Sequence, residues 1–236
     1  MGFLLCLSLI SAFAQSPNEL DLKLQEYVKT FSLKPLSNLP AKNENLFELG
    51  KQLFMERKIS GNENISCMDC HHPSIGSGDG LVLGLGEGAE GLEIKAGSRV
   101  QKTGTMLARN TPPLFNLGGI EIPYFWDGRV RFAPVNKIFI TPDADLNGAT
   151  PVRSDITTTM KSGLAAQAIF PMVNHAEMRG KPGTNPIADA KSNSEAWDLI
   201  VEKILKDEHY KKQFEKVFPG EKINIGHFGE AIAHLI

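Results

Sequence analysis

The sequence has little excess of charge of either sign. Its 236 residues carry 25 Lys and Arg against 27 Asp and Glu, a formal net charge of −2. Composition therefore gives no basic footprint for a nucleic-acid partner. Cysteine is scarce and odd in number, with only Cys6, Cys67 and Cys70, which excludes a simple disulfide framework. No stretch reaches the roughly 18 apolar residues of a membrane-spanning helix. Strand-like alternation of useful length and internal repeats are also missing. Against these absences, 42% of the residues are hydrophobic and 22% charged. That is ordinary for a globular chain, long enough to bury a core, and it excludes collagen-like, coiled-coil and disordered readings. Glycine (22) and proline (14) are plentiful and point to much loop between short helices.

Residues 3–13, FLLCLSLISAF, form an apolar run the length of a signal-peptide core, followed by Ala12-Phe13-Ala14 as an A-x-A cleavage site. Residues 1–14 are therefore expected to be a signal peptide that takes Cys6 with it, and the mature protein to be periplasmic. A buried N-terminal helix is the alternative, since Met1-Gly2 ahead of the run carries no basic residue.

Ser16-Pro17-Asn18-Glu19 has a capping-box pattern and predicts a helix over about 17–31, with residues 15–43 forming an N-terminal helix and linker. Apolar residues at helical spacing predict further helices over about 44–55, 155–169 and 194–217, and one from Asn224 to Ile236. Between 60 and 151 the chain is rich in Gly, Pro, Asn and Asp. Loops that long usually wrap something, and a large cofactor would supply the missing core. The fold class expected is mainly α with long functional loops.

Cys67-Met68-Asp69-Cys70-His71 reads C-x-x-C-H, the attachment signature of c-type haem. Two thiols one helical turn apart can both add to the vinyl groups on one porphyrin edge, and the next residue then offers its imidazole to the iron. Three other readings stand beside it. A zinc site needs four ligands, and His227 and His234 are too far apart for the usual H-x₃₋₅-H pair. A redox C-x-x-C expects a βαβ context, and a plain disulfide is the third. His72 adjoins the proposed ligand on its own side of the iron, so it is read as a surface or propionate-facing residue. Asp143-Ala144-Asp145-Leu146-Asn147-Gly148 resembles the start of a calcium loop, but Pro151 and Ser154 stand at its ninth and twelfth positions; a Gly/Asp turn is the preferred reading.

Several segments resemble the di-haem cytochrome c peroxidases of bacteria, with which the methylamine-utilisation di-haem enzymes are grouped. They include Leu49-Gly50-Lys51-Gln52-Leu53-Phe54, the C-x-x-C-H itself, Asp79-Gly80-Leu81 and Ala108-Arg109-Asn110-Thr111-Pro112. Phe125-Trp126-Asp127-Gly128-Arg129, Phe170-Pro171-Met172 and Ala176-Glu177-Met178 follow in the same order. The likeness runs from about Leu46 to the end, so 44–236 is expected to be a cytochrome c-like haem domain. The resemblance implies haem c held by Cys67 and Cys70, with His71 on the iron. It implies Glu177 as acid/base for peroxide, Gln167 as a hydrogen-bonding residue of the same pocket, and Phe125 with Trp126 between two haems, the indole as an electron bridge. Arg109 is a candidate for a haem propionate. Asn110 matches a ligand of the family's calcium ion, whose other ligands would lie beyond Ile236.

Two departures shape the expectations. No histidine lies between Asp79 and Asn110, where the bis-His members carry a distal ligand, so an open or weakly held sixth position is expected. No second C-x-x-C-H is present, and the helix begun at Asn224 runs to Ile236 without a cap. The expectation is a peroxidatic part truncated before a second haem domain, its segment from about 220 leading into that domain. The activity implied is reduction of hydrogen peroxide by electrons from a small protein, a cytochrome c or cupredoxin. A homodimer is among the assemblies the resemblance allows. The alternatives are oxidation of an organic or protein substrate at the same iron, and a mono-haem electron carrier with sulfur from Met106, Met172 or Met178.

Overall fold

The computed structural model describes residues 18–34, 42–90, 100–103, 106–115, 117–118 and 122–236. The expected signal peptide and residues 35–41 of the expected linker lie outside them. Contacts divide the chain into two units, Met1–Leu39 and Pro40–Ile236. The first contains α1, Glu19–Thr30, whose cap is Asn18 rather than Ser16. The Asn18 side chain accepts from the Asp21 amide at 2.9 Å, and the Asp21 carboxylate accepts from the Asn18 amide at 3.0 Å. No residue of α1 is buried.

The second unit is mainly helical, as expected. Its helices are α2 (Glu44–Met55), the single turn α3 (Cys67–Cys70), α4 (Ser154–Thr159), α5 (Gly163–Ile169), α6 (Asn193–Leu205), α7 (Glu208–Val217) and α8 (Ile225–Leu235). Two of the expected helices are each split in two. The 155–169 stretch breaks at Met160, where the Lys161 amide turns to the Glu230 carboxylate at 3.0 Å and Ser162 caps α5 through the Ala165 amide. The 194–217 stretch breaks at Asp207, which caps α7 through the His209 amide and pairs with Lys58 at 2.9 Å. Apolar periodicity runs through both breaks, so only side-chain capping, satisfied in three dimensions, marks them.

Two short antiparallel ladders also stand where no strand was expected. β1 (Ala89–Glu90) pairs with β2 (Val100–Gln101), and β3 (Arg131–Ala133) pairs with β4 (Ile138–Ile140). Phe132 faces Phe139 across the second, with ring centroids 4.6 Å apart. Strands of two or three residues are too short to show an alternating pattern.

Glycines decide how close the helices of this core lie. A Cβ on Gly50 of α2 would sit 2.0 Å from the Ala231 carbonyl oxygen of α8, and one on Gly229 of α8 would sit 2.4 Å from that of Ala165 in α5. Helix α8 is thus gripped at backbone distance from two sides, with Phe228, Ala231 and Ile232 buried. Trp197 of α6 is fully buried, donates to the Ile169 carbonyl at 3.1 Å and meets Phe170 edge-on. The described parts of the 60–151 stretch pack against this helical core through Ile65, Tyr124, Val130, Phe139 and Leu146 and supply many of the site's residues.

Candidate haem site

The C-x-x-C-H segment forms one helical turn because its ends and its centre are held. The Asp69 carboxylate, buried, accepts from the Ser66 amide at 2.7 Å and hydroxyl at 2.8 Å, and pairs with Arg57 at 3.1 Å. The His71 amide closes the turn on the Cys67 carbonyl at 2.9 Å. Cys67, Cys70 and His71 all line one cavity of about 560 Å³, a size typical of cofactor sites. Burial pushes the Cys67 thiol up to about 12, and Cys70 acts in the same direction.

His71 Nδ1 lies 3.0 Å from the Ser77 carbonyl oxygen. A carbonyl can only accept, so Nδ1 donates and Nε2 keeps its lone pair, the tautomer a metal requires. Ser77 is itself fixed: it adopts φ 56° and its hydroxyl accepts from the Leu114 amide at 2.6 Å. Burial lowers the imidazole pKa against the opposing carbonyls of Ser77 and Pro112 and the charge of Asp79. Among the described residues His71 is the one histidine lining the cavity; His72 instead bonds Ser74.

Gln167 and Glu177 reach the same cavity from the other side of the sequence. Gln167, on α5, is nearly buried, and its Oε1 has no hydrogen-bond partner among the described residues. Glu177 stands in a π-helical turn, His175–Arg179, the kind of widened turn often found at functional sites. Asn174 caps that turn through the Ala176 amide at 2.9 Å and donates its amide to Glu177 Oε1 at 3.0 Å. Burial raises the Glu177 carboxyl pKa, opposed by the positive charge of Arg129. The turn is backed by Gly86, where a Cβ would lie 1.9 Å from the Ala176 carbonyl oxygen, and by the Glu87 amide, which donates to that oxygen at 3.1 Å. In the stretch read as lacking a distal histidine, Glu87 itself is buried and accepts from Asn62 and Asn64.

Segment 125–129 makes a tight turn at the cavity, with φ 63° at Phe125 and 64° at Gly128. Trp126 is 62% exposed while lining the cavity, and its Nε1 donates to the Asn110 carbonyl at 2.9 Å. The Asn110 side chain donates to the Leu81 carbonyl at 2.9 Å. Arg109, expected near a propionate, lines the cavity and pairs with Asp127 at 3.2 Å. Of the methionines weighed as sulfur ligands, Met106 and Met178 line the cavity, whereas Met172 is fully buried in the core. Asp143 caps a short turn through the Asp145 amide at 2.9 Å, and Asp143 and Asp145 accept from Asn193 and Ser194 at 2.8 Å each, which ties that turn to the start of α6.

Sequence reasoning passed over Asn174, Ser77 and Arg129 as members of the site. Arg129 was visible only as the last residue of the Phe125–Arg129 motif; the other two carry no sequence signal, because hydrogen bonds to Glu177 and His71 recruit them. The donor set suits a covalently held c-type haem: two thiols and an imidazole of fixed tautomer on one short turn, apolar walls, and an unsatisfied buried amide oxygen. The fold and site thus define a helical c-type haem protein.

Comparison with known proteins gives the family. The sequence profile described as di-haem cytochrome c peroxidase matches residues 44–235, and the chain belongs to that family of haem c oxidoreductases. It is 35% identical over 98 residues to the cytochrome-c peroxidase IdrP2 of Pseudomonas sp. (strain SCT), covering 42% of this chain and 22% of that protein. It is 36% identical over 81 residues to the methylamine utilization protein MauG of Methylorubrum extorquens, covering 34% and 18%. Over 201 residues it is 24% identical to the cytochrome c551 peroxidase of Nitrosomonas europaea, covering 85% of this chain and 42% of that one. The chain therefore spans less than half the length of these relatives. A crystal structure of a MauG-like protein associated with microbial copper homeostasis aligns with 87% of this chain and 45% of its own, at TM-score 0.48 and 19% identity. Among the described residues, no helix is long and apolar enough to cross a membrane.

Proposed function

We propose that this chain is a peroxidatic haem c unit that reduces hydrogen peroxide to water with electrons from a small redox protein outside the cytoplasm. The observation that carries the reading is the meeting, in one cavity, of the C-x-x-C-H turn with Gln167 and Glu177, a hundred residues later in the chain. Cys67 and Cys70 would attach the haem and His71 would ligate its iron through Nε2. When bound, the haem supplies a redox-active iron at which peroxide accepts electrons.

The side chains handle the protons. Reduction of one peroxide consumes two electrons and two protons and yields two waters. The Glu177 carboxylate takes a proton from one peroxide oxygen and delivers it to the other, so that the departing oxygen leaves as water and not as hydroxide. Asn174 orients that carboxylate through its 3.0 Å bond. The unsatisfied Gln167 oxygen accepts from the peroxide O–H and holds it in place. Trp126, exposed yet part of the cavity lining, offers an indole between an external donor and the site. Arg109 supplies positive charge for a propionate.

The test is co-production with a haem c maturation apparatus, followed by denaturation. Soret absorbance should stay with the polypeptide and be lost in a Cys67→Ala/Cys70→Ala variant. Glu177→Gln should slow peroxide turnover about 10²–10⁴-fold, the usual worth of a positioned acid/base. A colourless chain or an undiminished rate overturns the reading. The presence of Met106 and Met178 in the cavity lining favours one second reading, an electron carrier with sulfur on the iron. Refusal of cyanide by the ferric protein would support that carrier, and rapid binding would remove it.

A further inference from the structure

The turn that carries Glu177 is weakly specified by its own backbone. The amides of Glu177, Met178 and Arg179 all donate to one oxygen, the Asn174 carbonyl, at 3.1, 3.1 and 3.0 Å. A carbonyl oxygen has two lone pairs, so three donors compete for it. A π-helical turn is rare in any case, and this one needs bracing from outside.

Arg179, the last residue of the turn, supplies it. The residue is 6% exposed. Its Nε donates to the Ile187 carbonyl at 2.9 Å and its Nη2 to the Ala190 carbonyl at 2.6 Å. Nη1 makes longer bonds, 3.5 Å to the Val173 carbonyl and 3.4 Å to Asn193 Oδ1. All four acceptors are neutral oxygens, a costly setting for a buried cation. Only a planar fork of several donors can reach acceptors so spread; a lysine has one nitrogen. Val173 adjoins Asn174, which caps the turn, receives its three amides and donates to Glu177 Oε1 at 3.0 Å. The guanidinium therefore joins the two ends of segment 173–179 and ties both to the loop before α6. Backbone meets the turn elsewhere: the Met178 carbonyl accepts from the Gly61 amide at 2.8 Å, and a Cβ on Gly61 would lie 2.0 Å from the Arg179 carbonyl oxygen. Arg179 is not among the residues lining the cavity, so whatever it does for the site it does through the turn.

We propose that Arg179 is the positioning residue of the Glu177 turn: its buried guanidinium, bonded to carbonyls on both sides, holds Asn174 and through it the Glu177 carboxylate at one place in the cavity. The inference rests on the reading of Glu177 as acid/base.

The experiment uses the haem-loaded protein with Arg179→Met, which keeps the stem and removes every donor, and Arg179→Lys, which keeps the charge on a single nitrogen. Each is made alone and together with Glu177→Gln. Hydrogen exchange followed by mass spectrometry compares the amides of segment 174–180 with those of α6. In both variants the turn should exchange about tenfold faster while α6 keeps its parent rate. Peroxide turnover should fall about 10–10²-fold, the cost of misplacing a group by about an ångström. In the Glu177→Gln background the same changes should alter the remaining turnover less than about twofold, because the carboxylate they position is gone. Parent-like exchange of the turn or parent-like turnover in Arg179→Lys overturns the proposal. An equal loss of turnover with and without the Glu177 carboxylate also overturns it, since Arg179 would then serve the fold alone. If Arg179→Met fails to retain haem, Arg179→Lys decides by the same measures. Failure of the underlying reading looks different: Glu177→Gln alone would leave turnover intact, while the turn still loosened in the Arg179 variants.

Discussion

Replacing Gly50 by alanine tests whether α8 is gripped as tightly as its glycines indicate. The new Cβ would sit 2.0 Å from the Ala231 carbonyl oxygen, whereas ordinary contact begins at 3.4 Å. One helix must therefore retreat by about 1.4 Å, and the obstacle is backbone, which cannot swing aside. Leu49 and Leu53, both fully buried on the same helix, would move with it. Even a 0.5–1 Å gap forfeits roughly a quarter to a half of each van der Waals contact it opens. Overpacking of this kind costs at the upper end of about 1–3 kcal/mol. Alanine regains about 1 kcal/mol of helix propensity over glycine, so the net loss is about 2 kcal/mol. At about 2–4 °C per kcal/mol for a domain of this size, the midpoint should fall by about 4–8 °C. Thermal unfolding followed by far-ultraviolet circular dichroism of the haem-loaded protein reads this directly. The site should loosen as well, since Phe54 of α2 and Ile232 of α8 line the cavity. A variant as stable as the parent, or more so, would refute the close crossing and the argument built on it.

Two further outcomes follow from the site. Burial raises the Glu177 carboxyl pKa despite Arg129, so the folded chain binds this proton more readily than the unfolded chain does; the associated stability is present below the ordinary value of about 4.3 and is lost as pH rises through the raised one. Glu177→Gln should therefore melt higher than the parent at pH 7–8 and converge with it below about pH 4 in a pH series of melting curves; a variant less stable at pH 8 contradicts this. Gly86→Ala would push its Cβ to 1.9 Å from the Ala176 carbonyl oxygen, against 3.4 Å for ordinary contact. The Glu177 turn should shift by about 1.5 Å, with turnover of peroxide falling about 10²-fold while covalent haem content is unchanged; loss of haem with intact turnover per haem would show that the contact serves attachment instead.

Much of the candidate site could be read before any fold was known because its chemistry is local. The spacing of Cys67, Cys70 and His71 within one turn needs no tertiary information, and the expected helices at 44–55 and from Asn224 onward follow from apolar periodicity; the structure adds their caps at Asn43 and Asn224. The readings that missed were those in which a distant side chain decides. Glu230 bonds the Lys161 amide and so stabilises the break between α4 and α5. Lys58 fixes Asp207 at the break between α6 and α7. The short ladders depend on pairing, which a two-residue strand does not announce.

The amino-acid order alone determined that two thiols and an imidazole share one turn, and that amphipathic segments would bury one face, because both depend on spacings of a few residues. Only the folded chain decided that Glu177 lies in the cavity of that turn, that Asn174 and Arg129 accompany it, and that Ser77 fixes the His71 tautomer. The first of these, and the presence of Arg129, join residues far apart in sequence, with backbone contacts at Gly50, Gly86 and Gly229 setting how closely the segments lie; there the missing side chain is itself the determinant and leaves no pattern to read.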